Sequence, residues 1–510
     1  MNKTAKGLVA LSAVLVLLGG GYAALKLTEP KEEEESSSSE PAGEQQSVII
    51  IKDIVPDGPD APNKSYQEGV IKTVDVKNKT DELHVVQKST KTEESAATYT
   101  LDGYQDVVMK DTMIGTLANN ANELTSEAVI EENCTDLAKF GLASPAITVD
   151  IAYESGTAYR MLIGNEAPSG GVTYVMIDGV DTVYTVRDSA LANYSKTVLE
   201  LVDTTVLAAP DELPIVNSLR IEREDIDYDI FLEYDKKSDD SSYTGGTSAT
   251  HVMVEPTSAY LSVERSTDIT TGMFGLSASG VYCVHCEESD IAEAGLKDPF
   301  CTVTMSCDDG NDYVLLLSEP FTDSDNGKCC YAMLEGGNVI FIVSEDKAKW
   351  ATVTPVDIAS KIFIASYVWN ISDLEITCNT GDRAEFVLTK KNPDEVKESY
   401  TSADINTTLN NAEFDSERFR QFYSFLISAN AESFALGEEI PSSVPMATLA
   451  YTDSYTGETL TFDFYEKSAM TALIVVNGES KFNITKSYVE TLIENVKLLD
   501  SDEEFKTTWR

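Results

Sequence analysis

Cys283, His285 and Cys286 lie together in the run CVHC, and Cys301, Cys307, Cys329 and Cys330 follow close behind. Thiolates and an imidazole at such spacing can hold zinc, and paired cysteines can form a disulfide. A cysteine also packs as a small hydrophobe. Counting back 154 residues, a step justified below, sets Val129, Ile147 and Tyr153 opposite Cys283, Cys301 and Cys307. Those partners are apolar, so buried free thiols are the first expectation, with disulfides or a metal as the alternatives. Two acidic runs, CDDGND (Cys307–Asp312) and DSDNG (Asp323–Gly327), resemble calcium loops. Neither completes a twelve-residue loop with a terminal glutamate, so both read as turns. The three histidines are His84, His251 and His285. No nucleophile elbow, phosphate loop, HExxH or dinucleotide fingerprint occurs, and GLSASG (Gly275–Gly280) has the wrong spacing. Carboxylates are too numerous for spacing to nominate a hydrolytic pair. The expectation is therefore no catalytic residue, no cofactor and no metal ligand.

What positions these residues is a repeated phrase. TDLAKFGLASPAITV (Thr135–Val149) recurs as SDIAEAGLKDPFCTV (Ser289–Val303), with seven of fifteen positions identical at an offset of 154. Thr135 and Ser289 sit where a helix N-cap is wanted. Asp136 and Asp290 place negative charge at the positive end of the helix dipole. Gly141 and Gly295 suit a left-handed C′ residue, with Leu142 and Leu296 folding back on Leu137 and Ile291 as in a Schellman ending. Pro145 and Pro299 prevent the helix from resuming. The phrase thus predicts one or two helical turns, a hard stop and a strand.

The likeness continues downstream. Ile147–Gly164 matches Cys301–Ser318, and Thr173–Val186 matches Cys330–Val343. Each pair reads as strand, polar turn, strand. Leu191, Tyr194, Val198 and Leu201 lie on one helical face, and Trp350 anchors the corresponding segment of the second copy. A third copy is blurred: Val444–Phe464 and Ala472–Ile484 are its hairpins, and Val489, Ile493, Val496 and Leu499 its closing helix. There GEEIPSSVP (Gly437–Pro445) replaces the glycine stop. Two strands and a helix precede each phrase. In the first copy Ile114, Leu117, Ala121 and Leu124 form the helical stripe; in the third, Phe419, Phe422, Tyr423 and Leu426 follow Asp415. The second copy is loose over Asp239–Thr250, and its helix near Ile269–Leu276 contains Gly272 and Gly275. The fold class is α+β: tandem repeats of an antiparallel β-sheet domain with packed helices, over 66–209, 210–365 and, more divergently, 366–500. Residues 501–510 form a C-terminal tail.

One N-terminal transmembrane helix precedes the repeats. Residues 1–6 carry two lysines and read as a cytoplasmic tail; 7–25 are uncharged and span roughly 28 Å as a helix, close to the thickness of a bilayer core. A cleaved signal peptide ending near Gly21–Ala23 is the alternative. Residues 26–65, with KEEEESSSSEPAGEQQ (Lys31–Gln46), read as an acidic disordered linker. The formal net charge is −48, which repels nucleic acid and anionic lipid, so no nucleic-acid partner is expected.

These residues resemble the DUF4340 domain family of uncharacterised extracytoplasmic proteins. The resemblance rests on the lysine-flanked N-terminal span with its acidic tether, on DLAKFGLASPAITVDI (Asp136–Ile151), on YRMLIGNEAPSGGVTYVMIDG (Tyr159–Gly179) and on VYTV (Val183–Val186). It covers about 66–205 well, 213–365 partly, and the third repeat only by pattern. The tryptophan common early in the family's domain has no counterpart in the first copy. Members have no assigned catalytic activity and are commonly encoded beside ABC-type transporters related to gliding-motility systems. The resemblance therefore implies a non-enzymatic protein of the cell membrane, single-pass, with its bulk extracytoplasmic. It would act as an accessory component of an ABC-type transport or cell-envelope complex and bind a protein partner there. A module binding glycan, cell-wall polymer or another ligand is the alternative, and a carboxylate-based hydrolase a more distant one.

Overall fold

The computed structural model describes residues 47–54, 69–236, 249–395, 397 and 400–509. The expected cytoplasmic tail and membrane span, most of the acidic linker, and most of the loose stretch Asp239–Thr250 lie outside these residues. No helix among the described residues is long and apolar enough to cross a membrane.

The fifth strand of each repeat shows why the chain folds as it does. In ITVDIAY, CTVTMSC and ATLAYTD every second side chain from Val149, Cys301 and Ala447 onward is buried, and the threonine, serine, aspartate and alanine side chains between them are half-buried. Around this strand three sheets form with one topology. In unit 1 the eight strands are Ile71–Lys77, Glu82–Ser89, Thr98–Leu101, Ala128–Glu132, Ile147–Tyr153, Ala158–Glu166, Val172–Ile177 and Thr182–Arg187. They lie side by side in the order third, second, first, fifth, sixth, seventh, eighth, fourth, and every pair is antiparallel. Unit 2, from Val216–Arg223 to Val339–Ser344, and unit 3, from Ile371–Cys378 to Glu479–Thr485, repeat this order with short additional strands. The first strand of each unit even carries the same bulge, between Ile71 and Thr73, Val216 and Ser218, and Ile371 and Asp373.

One sheet face packs on helices: Asp111–Asn120 in unit 1, Val263–Thr271 in unit 2, and Ser416–Leu426 with Lys486–Lys497 in unit 3. The cores of units 1 and 2 run together into one cluster, from Ile51 to Ala359; unit 3 has its own, rich in aromatics. The repeated phrase lies on the opposite sheet face. In unit 1 Phe140 and Leu142 cover Met176 and Val183; in unit 2 Ala294 and Leu296 cover Met333 and Ile340. It is a lid for the outer half of each sheet.

The stop of that lid has the geometry of a Schellman ending. Gly141 and Gly295 have φ of +74° and +69°. Leu142 N–H donates to Leu137 O (3.0 Å) and Gly141 N–H to Ala138 O (3.1 Å); Leu296 N–H and Gly295 N–H do the same to Ile291 O (2.9 Å) and Ala292 O (3.1 Å). The helix starts differ from expectation. In unit 1 Asp136, not Thr135, precedes a single 3₁₀ turn, Leu137–Phe140, too short to need a hydroxyl cap. In unit 2 Glu287 opens the helix Glu288–Glu293, Ser289 lies inside it, and Asp290 accepts from the Glu287 N–H (2.8 Å).

Other boundaries also move. Leu191, Tyr194, Val198 and Leu201 are all buried, but on three one-turn pieces, because Lys196 and Thr197 are extended. Leu124 lies on a strand, Glu123–Thr125, beyond the helix that carries Ile114 and Leu117. Ile49–Lys52, placed by sequence in the disordered linker 26–65, is a strand paired with Glu123–Thr125; its Ile51 is fully buried, an apolar gain a tether lacks. The described part of the tail, 501–509, folds back: Phe505 packs on Phe422 and Trp509 on Phe425 and Tyr488.

The glycines make the lid testable. A Cβ on Gly164 would stand 2.2 Å from the Phe140 carbonyl oxygen. Gly141→Ala is expected to destabilise the protein by about 1 kcal/mol or more through its left-handed φ. Gly164→Ala should cost more, beyond the ~1–3 kcal/mol typical of overpacking, because backbone rather than a side-chain tip must move. Denaturant midpoints of the two variants check both the sign and the order.

Candidate interaction sites at the unit junctions

The units are joined by backbone. In unit 1 the chain leaving the last closing turn pairs with the segment before the long helix: Lys110 N–H donates to Leu201 O (2.8 Å) and Asp203 N–H to Val108 O (2.9 Å). Unit 2 repeats this with Ser262 N–H to Ile358 O (2.8 Å) and Ser360 N–H to Tyr260 O (2.7 Å). The chain then runs onto the next unit, against the residues that follow its helix. Val206 N–H donates to Leu276 O (2.8 Å), Gly275 N–H to Leu207 O (2.9 Å) and Ala278 N–H to Thr204 O (2.7 Å). At the second junction Ala431 N–H donates to Lys361 O (2.9 Å). Unit 1 has no preceding unit among the described residues. There Ile49–Lys52 takes the same slot, with Ser126 N–H donating to Val48 O (2.8 Å). At the other end the tail bonds back to its own unit, through Asn495 Nδ2 to Lys506 O (2.9 Å) and Arg418 to the Glu503 carbonyl (2.9 Å).

Side chains reinforce each junction at corresponding places. The loop after the third strand of unit 1 presents Tyr104 and Asp106 to unit 2. His285 stacks on Tyr104 with ring centroids 5.0 Å apart, and its Nε2 lies 3.0 Å from Asp106; Asn338 Nδ2 donates to the other Asp106 oxygen (2.6 Å). The His285 hydrogen bond holds the Asp106 carboxyl below the usual carboxylate range. The same loop of unit 2 presents Thr257 and Ser258 to Lys481 of unit 3. The Lys481 ammonium, 6% exposed with its residue, donates to Thr257 Oγ1 and Ser258 O (3.1 Å) and pairs with Glu479 (2.7 Å). Beside it lies a cleft of ≈ 260 Å³ whose walls include Tyr260, Phe363, Phe462 and Phe482. Burial, helped by nearby carboxylates, pushes the Tyr260 hydroxyl up to about 12. A second, more open groove of ≈ 410 Å³ on unit 3 is lined by Trp369, Leu388, Lys390 and Ile405. Tyr367 stacks on Trp369 (4.7 Å) and Lys390 lies over the Tyr400 ring (4.5 Å).

The residues singled out for chemistry do not converge. His84 pairs with Asp75 on an exposed sheet face. His251 is buried, and its ring bridges Thr250 Oγ1 (2.9 Å) and Val216 O (2.7 Å). Asp323 accepts N–H bonds from Asp325 (2.9 Å) and Asn326 (2.7 Å), and Asp309 from Asn311 (3.0 Å), so both acidic runs are turns closed by their own aspartates. All eight cysteines carry free thiols; six are buried, while Cys283 and Cys286 are half-buried. Burial pushes the Cys301 and Cys330 thiols up to about 12 and those of Cys307 and Cys378 to about 11. No group of three or more histidine, cysteine or acidic side chains among the described residues could hold a metal ion. Asp136, Gly141, Leu142 and Pro145, with Asp290, Gly295, Leu296 and Pro299, lie in the two lids, and in unit 2 the lid residues Ala294 and Leu296 pack against Cys283 and Cys286, which flank His285. Apart from His285, the junction residues carry no sequence signal of their own, since most of their bonds are backbone to backbone.

A family model described as a domain of unknown function, DUF4340, matches residues 99–243. The chain carries a DUF4340 domain. The DUF4340 match starts in the third strand of unit 1, takes in its lid and closing turns, and passes through the first junction into unit 2. No curated protein and no solved structure matches the chain.

His251, just beyond the DUF4340 match, gives the chain a measurable pH response. With Nε2–H donated to Val216 O, Nδ1 accepts from Thr250, and burial lowers the pKa of the ring. In the unfolded chain the ring titrates near ~6.5. Its contribution is therefore complete above that pH and is lost as pH falls from there toward the lower folded value, because the unfolded chain takes the proton first. His251→Gln keeps a donor for Val216 but cannot titrate. Between pH 7.5 and 5.5 the denaturant midpoint should fall further in the unaltered protein than in the variant.

Proposed function

We propose that this chain is a non-enzymatic, membrane-anchored protein, single-pass with its bulk extracytoplasmic, that acts by binding protein as an accessory component of an ABC-type transport or cell-envelope complex. One observation carries the binding part: the three sheets are fixed head to tail, with the slot before unit 1 filled and the tail of unit 3 folded back. The charged sheet faces of this frame stay open. Asp150 with Arg160, Arg220 with Asp229 and Glu255, and Glu375 with Arg383 line those faces. Such a surface supplies electrostatic complementarity over a rigid area. The lysine-flanked span and acidic tether support the anchor, and the resemblance to the DUF4340 family supports the transport setting.

The second reading is a module for a glycan, wall polymer or other ligand. The aromatic groove at Trp369 favours it, since ligand sites are concave, largely apolar and marked by a few polar groups. Crosslinking in native membranes with the full-length chain, followed by pull-down and mass spectrometry, separates the two. Transporter or envelope subunits are the expected catch. Wall material without a protein partner would transfer the function to the groove.

A further inference from the structure

We infer that Cys283 and Cys286 form a thiol–disulfide site at the junction of units 1 and 2. In a regular strand, residues three apart point to opposite faces. Here the strand Gly280–Val284 ends in a hook: His285 adopts φ +51° and the Cys286 N–H donates to Asn338 O (3.2 Å). The reversal brings the fourth residue back toward the first, and both cysteine side chains pack against the same cluster of Ala294, Leu296 and Ile340. Unit 1 contains the same hook independently. Asn133 has φ +53°, the Cys134 N–H donates to Asp181 O (2.9 Å), and the Cys134 thiol meets Glu131. The sheet pairing aligns Glu131 with Cys283, since they lie opposite Val183 and Ile340. This corrects the sequence alignment, which set Val129 there: unit 2 has two more residues between hook and lid, so the offset is 152 before them and 154 after. Contact between first and fourth side chains is thus a property of the hook, and only unit 2 places cysteine at both positions.

The chemistry is exchange with a small-molecule or protein disulfide. The Cys286 thiolate attacks one sulfur of that disulfide, forming a mixed disulfide and releasing one thiol. Cys283 then loses its proton and attacks the Cys286 sulfur, closing the ring and releasing the second thiol. Two hydrogens leave the protein and one external disulfide becomes two thiols. Burial and the neighbouring Cys286 push the Cys283 thiol up to about 12. His285 lies between the two sulfurs in sequence, so the closed ring pins the residue that stacks on Tyr104 and binds Asp106.

The test uses the full-length chain, equilibrated with graded mixtures of reduced and oxidised glutathione, acid-quenched, alkylated and digested with trypsin. The peptide Ser266–Lys297 contains both cysteines and no other. It should lose two hydrogens and refuse alkylation. Half-conversion should come at a glutathione ratio at least ~10-fold more reducing than the ratio at which Cys286 of the Cys283→Ser variant takes up glutathione. Two alkyl groups across the whole range, a lasting glutathione adduct on Cys286 of the unaltered chain, or alkylation blocked by zinc and restored by chelator would each overturn the proposal.

Discussion

The structure depends on a short backbone ladder in which the chain leaving one unit pairs with the residues that follow the helix of the next. Each sheet buries one face under a helix, yet that helix leaves its own C-terminal segment with unpaired N–H and C=O groups. Buried groups of this kind must find partners. Thr204–Leu207 and Lys361 supply them at the two junctions, and Ile49–Lys52 supplies them for unit 1. Because the linker carries apolar residues into the same space, units 1 and 2 share one core. Repeats that contact only their neighbours need terminal caps, and here the N-terminal strand and the folded tail serve as those caps.

The lid answers a different constraint. A wide sheet with helices on one side leaves apolar side chains of its sixth to eighth strands exposed on the other. A helix of one or two turns, ended sharply so that a leucine folds back beneath it, covers them in little sequence. That economy requires a glycine at positive φ, which is why the phrase was written twice in recognisable form. Unit 3 solves the same problem with a smaller cluster under Ala435, turned by Gly437 at φ +71°. The tether, the junction clefts and the charged faces then act on a rigid frame.

Much of this was legible in the sequence. The glycine stops, the alternating fifth strands and the helical stripes from Ile114 and from Phe419 follow from period and capping chemistry, although the first stripe overran its helix at Leu124, and they gave an α+β repeat with antiparallel sheets. The junctions were not legible, because Thr204, Gly275 and Ala278 meet through backbone atoms that any residue provides. Ile49–Ile51 did carry a signal, three isoleucines after an acidic tract, but composition alone assigned it to the linker. The hook was misaligned because a two-residue insertion leaves no trace when only the lids are compared. The extended Lys196 and Thr197 broke a helix whose buried face was nevertheless right.

Native-state hydrogen exchange resolved to single amides tests the central claim. If the linkers are structural parts of the core, the amides of Val206, Gly275 and Ala278 exchange as slowly as those of the central strand Val216–Arg223, through the same opening. If those amides exchange quickly while that strand stays protected, the units are separate domains on a flexible string, and the head-to-tail frame described above does not exist.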